Sequence, residues 1–320
     1  MATDNMTTKL VLVIPNRSKN VKKNEKRSKI LHIIGLTFTY LFLILAVFVV
    51  ILPFYYMIAA SCMTENQLSN GGFFPTEGNI IDNIIYNYSH TVASDGFNFP
   101  VLLTNTLIVG LSTTCGSLLI TILSAFAFSR LNFKGRDVLF TIFLATMMIP
   151  GEMMVITNFT TMANLNLVSM NQTAWQAYLA LVLPFFANVF YIYLLRQNFK
   201  QIPDELYLAS RVDGKTDWQF LWKVMVPLAS PTLITIFIMN LIDSWNSYVW
   251  PSIVIFNPDF NVISVALRST TFQIFEHEVW RPQYTWQMAA TFLTTLPLLV
   301  LFIIFRKFIM RGVARAGIKG

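Results

Sequence analysis

The chain has 320 residues, 55% of them hydrophobic and only 12% charged, about half the charged fraction of an ordinary soluble domain. The charges are clustered, with no Asp, Glu, Lys or Arg between Lys29 and Glu65 or between Asp95 and Arg130. Each of these runs exceeds the roughly 20 residues needed to cross a bilayer core about 30 Å thick, which excludes a soluble globular domain.

In chain order, residues 1–29 form a basic tail, read as an irregular, solvated, membrane-proximal segment attracted to anionic lipid. The first span follows at Ile30–Ala60. It is far longer than the 7–15-residue apolar core of a cleaved signal peptide and has a long hydrophilic segment before it. Residues 61–100 read as an external segment, with turns marked by Gly71-Gly72 and Pro75; its charges are the acids Glu65, Glu77, Asp82 and Asp95. Five further spans are predicted at Val101–Phe128, Val138–Met162, Ala174–Leu195, Thr232–Phe256 and Tyr284–Phe305. Lipid leaves no partner for open backbone groups, so long apolar runs are helices and not barrel strands. The fold class is an all-α integral membrane protein with six transmembrane helices. Cys62 and Cys115 do not suggest a metal or redox pair, and Cys115 is expected as a small packing residue inside span two.

Orientation follows from Lys and Arg, which are enriched in cytoplasmic loops. Eight basic residues precede the first span, and others lie in the loop after span two, in the loop after span four and after span six. Together these hold 21 of the 23 basic residues; only Arg268 and Arg281 fall on the other side. Both termini, including the tail 307–320, are therefore expected in the cytoplasm. The net charge of +7 is a consequence of this topology and calls for no nucleic acid.

The loop after span four carries a helical hairpin. Pro203 opens a helix with Asp204 and Glu205 in its first turn, where negative charge suits the dipole. Leu206, Ala209 and Asp213 share one face, Gly214 stops the helix, and Thr216 with Gln219 three residues on fits a capping box. Pro227 and Pro231 interrupt the second helix before span five.

The segment Leu208-Ala209-Ser210, three residues, Gly214, nine residues, then Val224-Met225-Val226-Pro227 resembles the EAA loop of ABC-transporter permeases. That pattern is Glu-Ala-Ala, three residues, Gly, nine residues, Ile-x-Leu-Pro. Further matches are Asn105-Thr106-Leu107, Ala125-Phe126-Ala127-Phe128-Ser129-Arg130, Met148-Ile149-Pro150-Gly151, Ser244-Trp245-Asn246, Trp250-Pro251 and the ending Arg311–Gly320. Across roughly residues 100–320 the chain resembles the MalG-like permeases of carbohydrate uptake systems. Two positions depart: the family's Glu is Leu208 here and its second Ala is Ser210, so the family's carboxylate contact to an ATPase does not carry over at 208.

The resemblance implies a type I ABC importer permease domain over residues 101–306, with an EAA-like coupling loop at 203–227. It implies alternating access in the cytoplasmic (inner) membrane. The expected partners are a second permease subunit, two ATPase subunits or domains and an external solute-binding protein that delivers a sugar or oligosaccharide. The coupling residues it marks are Glu205, Leu208, Ala209, Ser210, Asp213, Gly214 and Pro227. No G-x-x-x-x-G-K-[ST] phosphate loop occurs, so ATP and Mg are expected in a partner polypeptide and no cofactor, metal or catalytic residue in this chain.

Charged residues at membrane depth usually face a cavity or a partner, and two occur, Glu152 and Asp243. Asp243 belongs to a stripe with Asn240, Ser244 and Ser247 at i, i+3, i+4 and i+7 spacing. The stripe either lines the solute path or joins the helix to its neighbours by interhelical hydrogen bonds. Glu152 follows Pro150-Gly151, a kink, and is open to either role. Glu276-His277-Glu278 reads as a solvated loop, because adjacent residues share no helix face. Trp280, Tyr284 and Trp286 are expected in an interfacial aromatic belt. Without the resemblance, a channel or secondary carrier that needs no ATPase remains the alternative.

Overall fold

In the computed structural model the structure describes residues 17–94, 96–276 and 278–317; Asp95, His277, the first sixteen residues and the last three lie outside the description. The Glu276-His277-Glu278 group and the chain's last residues therefore fall wholly or partly outside it. The chain divides into two compact units, residues 1–56 and 57–320.

The first unit, taken by itself, is one helix. α1 runs Arg17–Ser61 and begins within the basic tail, which the sequence reading took as irregular. Its apolar side chains point outward all round, Phe38 at 71% and Ile44 at 68% exposure, as suits a lipid-facing helix.

The second unit includes two short helices, α2 (Glu65–Ser69) and α3 (Ile80–Val92), so residues 61–100 are more ordered than their turn residues suggest. Thr64 and Asn79 cap them, accepting from the N–H groups of Gln67 and Ile81. The long helix α4 (Phe99–Arg130) follows, then α5 (Arg136–Ala145), α6 (Val155–Asn164), α7 (Ala174–Val182) and α8 (Val189–Lys200). The predicted hairpin is α9 (Asp204–Val212) and α10 (Asp217–Phe220), continued by a π-turn Leu221–Met225 and α11 (Val226–Leu228). α12 (Ser230–Asn246), α13 (Val249–Val254), α14 (Ile263–Ser269), a two-stranded antiparallel hairpin β1 (Gln273–Glu276) and β2 (Val279–Pro282), and α15 (Tyr284–Gly317) complete it.

Six spans were expected, the third kinked at Pro150-Gly151. The described helices include three continuous spans, Ile30–Ser61, Phe99–Arg130 and Tyr284–Arg306, and three pairs bent by 93°, 53° and 78° that reach six if each counts as one span. Proline sits at every bend. Ile149, before Pro150, is extended (φ −86°, ψ 117°), as a residue preceding proline prefers, and α5 turns 93° into α6 there. Pro184 lies in the turn between α7 and α8, and Pro231 in the first turn of α12. Span five also ends early. Pro251 would clash with the carbonyl of Ser247 in a continuous helix, so the chain goes extended at Ser247, and α13 is separate.

α4 is the central helix of this unit and packs on α8 and α12. Its most apolar stretch is 44% buried against 11% for that of α15, which leaves α15 as a lipid-facing helix. Ile122, Phe126, Leu195, Phe199, Phe220, Leu221 and Ile236 form a core beside the hairpin; Phe97, Leu102, Trp245, Ile263, Phe272 and Trp286 form another beside the external elements. Two expectations fail here. Trp286 is not in an interfacial belt but buried, stacked on His90 at 5.1 Å with its carbonyl accepting from Thr91 (3.1 Å). Cys115 is exposed, so it packs nothing within the chain.

Gly116 lets the α7–α8 bend approach α4: a Cβ there would lie 2.2 Å from Cε1 of Phe186. Gly116→Val is therefore expected to destabilise by at least about 1–3 kcal/mol. It should lower both the amount of chain in the membrane and its melting temperature in detergent. Gly110→Ala, which meets only the flexible Leu241 Cδ1 at 3.1 Å, should leave both near wild type.

Candidate functional site

Two places gather the predicted residues. The first is the hairpin of α9 and α10. α9 begins at Asp204 with Pro203 in the cap position, and Asp204 and Glu205 occupy its first turn. It ends as the glycine suggests. Gly214 has φ +74°, its N–H bonds to Arg211 O, and Lys215 N–H bonds to Ser210 O, both at 3.0 Å. This is a Schellman turn, whose left-handed position glycine occupies without strain. The capping box also forms: Gln219 N–H donates to Thr216 Oγ1 (3.3 Å) and Thr216 N–H to Gln219 Oε1 (3.1 Å).

Asp217 holds the two helices together. Tyr207 donates to its Oδ1 (2.9 Å), a bond that pushes the phenol above its ordinary range, and Arg211 reaches the same oxygen at 3.2 Å. The Tyr207 ring meets Phe220 edge-on at 5.1 Å. Ser210, in place of the family's second Ala, is buried and donates to Tyr207 O (2.8 Å), whereas Leu208, Ala209, Val212 and Asp213 are exposed. Leu208 at 62% and Val212 at 89%, one turn apart, form an apolar ridge that the hairpin itself leaves uncovered. Pro227 follows the π-turn and has no N–H for the ladder, which accounts for the widened turn before it.

Arg130 fastens the hairpin to the end of α4. Its guanidinium is nearly buried and donates to Asp204, to Phe199 O (3.0 Å) and to Ile202 O. Arg196 donates to Phe128 O (3.0 Å) and lies 3.8 Å over the Phe140 ring. The sequence motif contained Arg130, but nothing in the sequence told which carbonyls it would meet.

The second place is a cavity of about 180 Å³ between α4, α7, α8, α12 and α13. Asn240, Asp243, Ser244 and Ser247 all line it, so the predicted stripe converges on one space. Tyr191 donates to Asp243 Oδ2 at 2.8 Å, and Thr114 to Asn240 Oδ1 at 3.4 Å. Part of the stripe therefore does join helices, and the rest faces the cavity. Thr113, Asn188 and Tyr191 also line it and were missed in the sequence, where the available signal was polar residues inside predicted spans. Trp250 covers one side, its indole N–H on Ala180 O at 3.1 Å. Glu152 does not join them: it is exposed in the turn after Pro150 and is absent from the lining.

The external residues are tied to α4 by the motif that opens span two. Asn105 donates to Asp259 O (2.8 Å) and Asn261 O (3.0 Å) and accepts from Tyr178 (2.7 Å), while Thr106 Oγ1 accepts from Ile263 N–H (2.9 Å). Among the described residues no group of three or more His, Cys, Asp or Glu is placed to hold a metal.

Comparison with known proteins agrees with this architecture. Residues 117–315 match the family described as binding-protein-dependent transport system inner membrane component. The chain is 27% identical over 276 residues to the sn-glycerol-3-phosphate transport system permease protein UgpE of Yersinia pestis, covering 86% of this chain and 94% of the relative. It is 29% identical over 274 residues to the lactose transport system permease protein LacG of Rhizobium radiobacter, covering 85% and 93%. Its fold is that of a chain in the crystal structure of a bacterial ABC transporter involved in the import of the acidic polysaccharide alginate, with a TM-score of 0.74 over 86% of this chain and 96% of that one, at 24% identity. With its bent spans, central α4 and α9–α10 hairpin, the chain belongs to the family of binding-protein-dependent transport system inner membrane components and is the permease subunit of an ABC importer.

Proposed function

We propose that this permease moves a sugar or oligosaccharide across the cytoplasmic membrane by alternating access, with its hairpin at 203–227 coupled to a separate ATPase. The hairpin is the observation that carries the reading. It is rigidified by the Schellman turn and the Asp217 contacts, tied to α4 through Arg130, and exposes Leu208, Ala209 and Val212 on its outer side. A rigid element joined to the spans transmits displacement, which a loose loop does not. Glu205, Asp213, Gly214 and Pro227 shape the hairpin; Leu208 and Ala209 offer the contact; Ser210 braces it from inside. ATP and Mg belong to the partner ATPase, and this chain binds neither.

The assembly pairs the chain with a second permease and two ATPase subunits or domains on the cytoplasmic side, where both termini also lie. A solute-binding protein meets the external elements. Sugar as cargo rests on the lactose relative and on a cavity walled by hydroxyl, amide and aromatic groups. Glu152, outside that wall, stands at a bend and not on the path.

Purification of the tagged chain from its native membrane in mild detergent should recover a second permease and an ATPase, identified by mass spectrometry. Recovery of the chain alone, stable and monodisperse, would overturn the coupling reading in favour of a channel or secondary carrier.

A further inference from the structure

The cavity has a sign. Apart from the Tyr191 phenol, its lining carries one ionisable side chain, Asp243, and no Lys, Arg or His. None of the ion pairs among the described residues involves Asp243. One of its oxygens accepts from Tyr191, and the residue is exposed. The nearest positive field at the wall is the N-terminus of α8, but the N–H groups of Phe190 and Tyr191 there already donate to Asn188 Oδ1, at 3.0 and 3.3 Å. Arg268 is engaged over the Tyr248 ring, 4.4 Å from its centroid, and does not line the cavity.

The remaining polar groups are neutral. Ser244 and Ser247 hydroxyls and the Asn240 amide face the cavity, and Thr113, buried on the α4 wall, has a hydroxyl oxygen with no partner. A buried hydroxyl without a partner costs free energy that a hydroxylated ligand or water recovers. A carboxylate among hydroxyls accepts hydrogen bonds from sugar hydroxyls and repels a phosphate or a uronate.

We infer that Asp243 is a charge filter, and that this wall passes neutral polyhydroxylated solutes while rejecting anionic ones. The inference deepens the proposed function and rests on its reading of the cavity as part of the solute path. It also separates this chain from two proteins it is similar to, whose names refer to glycerol-3-phosphate and to an acidic polysaccharide.

The field can be read without knowing the solute. In the co-purified complex in lipid nanodiscs, Cys62 and Cys115 are replaced by Ser and a single thiol is introduced as Ser244→Cys or, separately, Ser247→Cys. Modification rates are measured with a cationic and an anionic methanethiosulfonate of similar size, each normalised to its rate with a free thiol. The cationic reagent should react about tenfold faster or more, the scale on which a cleft of one sign concentrates counter-ions. Adding Asp243→Asn should bring the ratio close to one, and Asp243→Glu should retain it. A ratio unchanged by Asp243→Asn overturns the filter and leaves the path reading standing. Thiols at both positions that react with neither reagent place the stripe in dry helix contacts, and then the path reading and the filter fall together. Where Asp243→Asn disrupts the complex, the same ratio in the Asp243 protein should shrink as salt is raised; a salt-independent ratio overturns the filter.

Discussion

Gly214→Asp is expected to reduce solute uptake to less than about a tenth of the wild-type rate while the chain stays in the membrane. The backbone argument sets the lower bound. Gly214 holds φ +74°, and a Cβ there would meet nothing within 4 Å, so no clash forms inside the chain. The left-handed position costs a side chain of ordinary type about 1–2 kcal/mol, and Asp less because its short polar group bonds locally. A hairpin braced by Tyr207, Arg211 and Asp217 survives that loss. On the proposed coupling, what fails is the contact with the ATPase, which a second carboxylate beside Asp213 at the tip would disturb. Uptake in whole cells, ATP hydrolysis by the purified complex and the membrane level of the chain should be measured together. The expected pattern is normal level, lost uptake and hydrolysis no longer stimulated by the loaded binding protein. Gly214→Asn, with the same backbone tolerance and no charge, should keep much of the uptake. Normal uptake in Gly214→Asp means the hairpin is not the coupling element.

Arg130→Ala should lower stability. Asp204, its ionic partner, is 83% exposed at the side chain, so that pair by itself contributes little. The weight falls on the carbonyl of Ile202, just past the end of α8, because Phe199 O also accepts from Ile202 N–H at 3.3 Å. Leaving one buried acceptor unpaired costs about 1–3 kcal/mol, and that is the loss expected. For a unit of this size that is a fall of about 3–10 °C in melting temperature. Thermal unfolding of the purified complex measures it. Asp204→Asn is expected to shift it by less than about 3 °C. Lys in place of Arg130 should recover only part, because an ammonium cannot span two carbonyls as a planar fork does. A larger effect from Asp204→Asn than from Arg130→Ala would reverse the assignment. Uptake should fall with stability in the Arg130 series, in contrast to Gly214→Asp, where uptake falls alone.

Local chemistry was legible. The apolar runs located the membrane segments, because transfer of uncharged stretches into lipid depends on composition alone. Pro203, Gly214, Thr216 and Gln219 announced the hairpin, because caps and stops act within one helical turn. The stripe Asn240, Asp243, Ser244 and Ser247 was legible as a helix face for the same reason, and it does converge on the cavity.

What the sequence by itself determined is therefore which segments are helical, where they begin and stop, and which side chains share a face. Only the tertiary structure decided which faces meet. Hydropathy averages over about 19 residues and passes smoothly over Pro150; the Pro150-Gly151 pair marked a kink, and the structure made it a 93° bend. Trp286 reads as an interfacial anchor from its flanks, yet Thr91, nearly two hundred residues earlier, and His90 bury it. Tyr191 reads as one more aromatic in span four until Asp243 arrives at its hydroxyl from another helix. Asn105 and Arg130 stand in family motifs without a stated reason until the carbonyls they satisfy are brought beside them. Helix formation is governed by neighbours three or four residues away, whereas burial, cavities and hydrogen bonds between helices depend on pairs far apart in sequence, which no local pattern encodes.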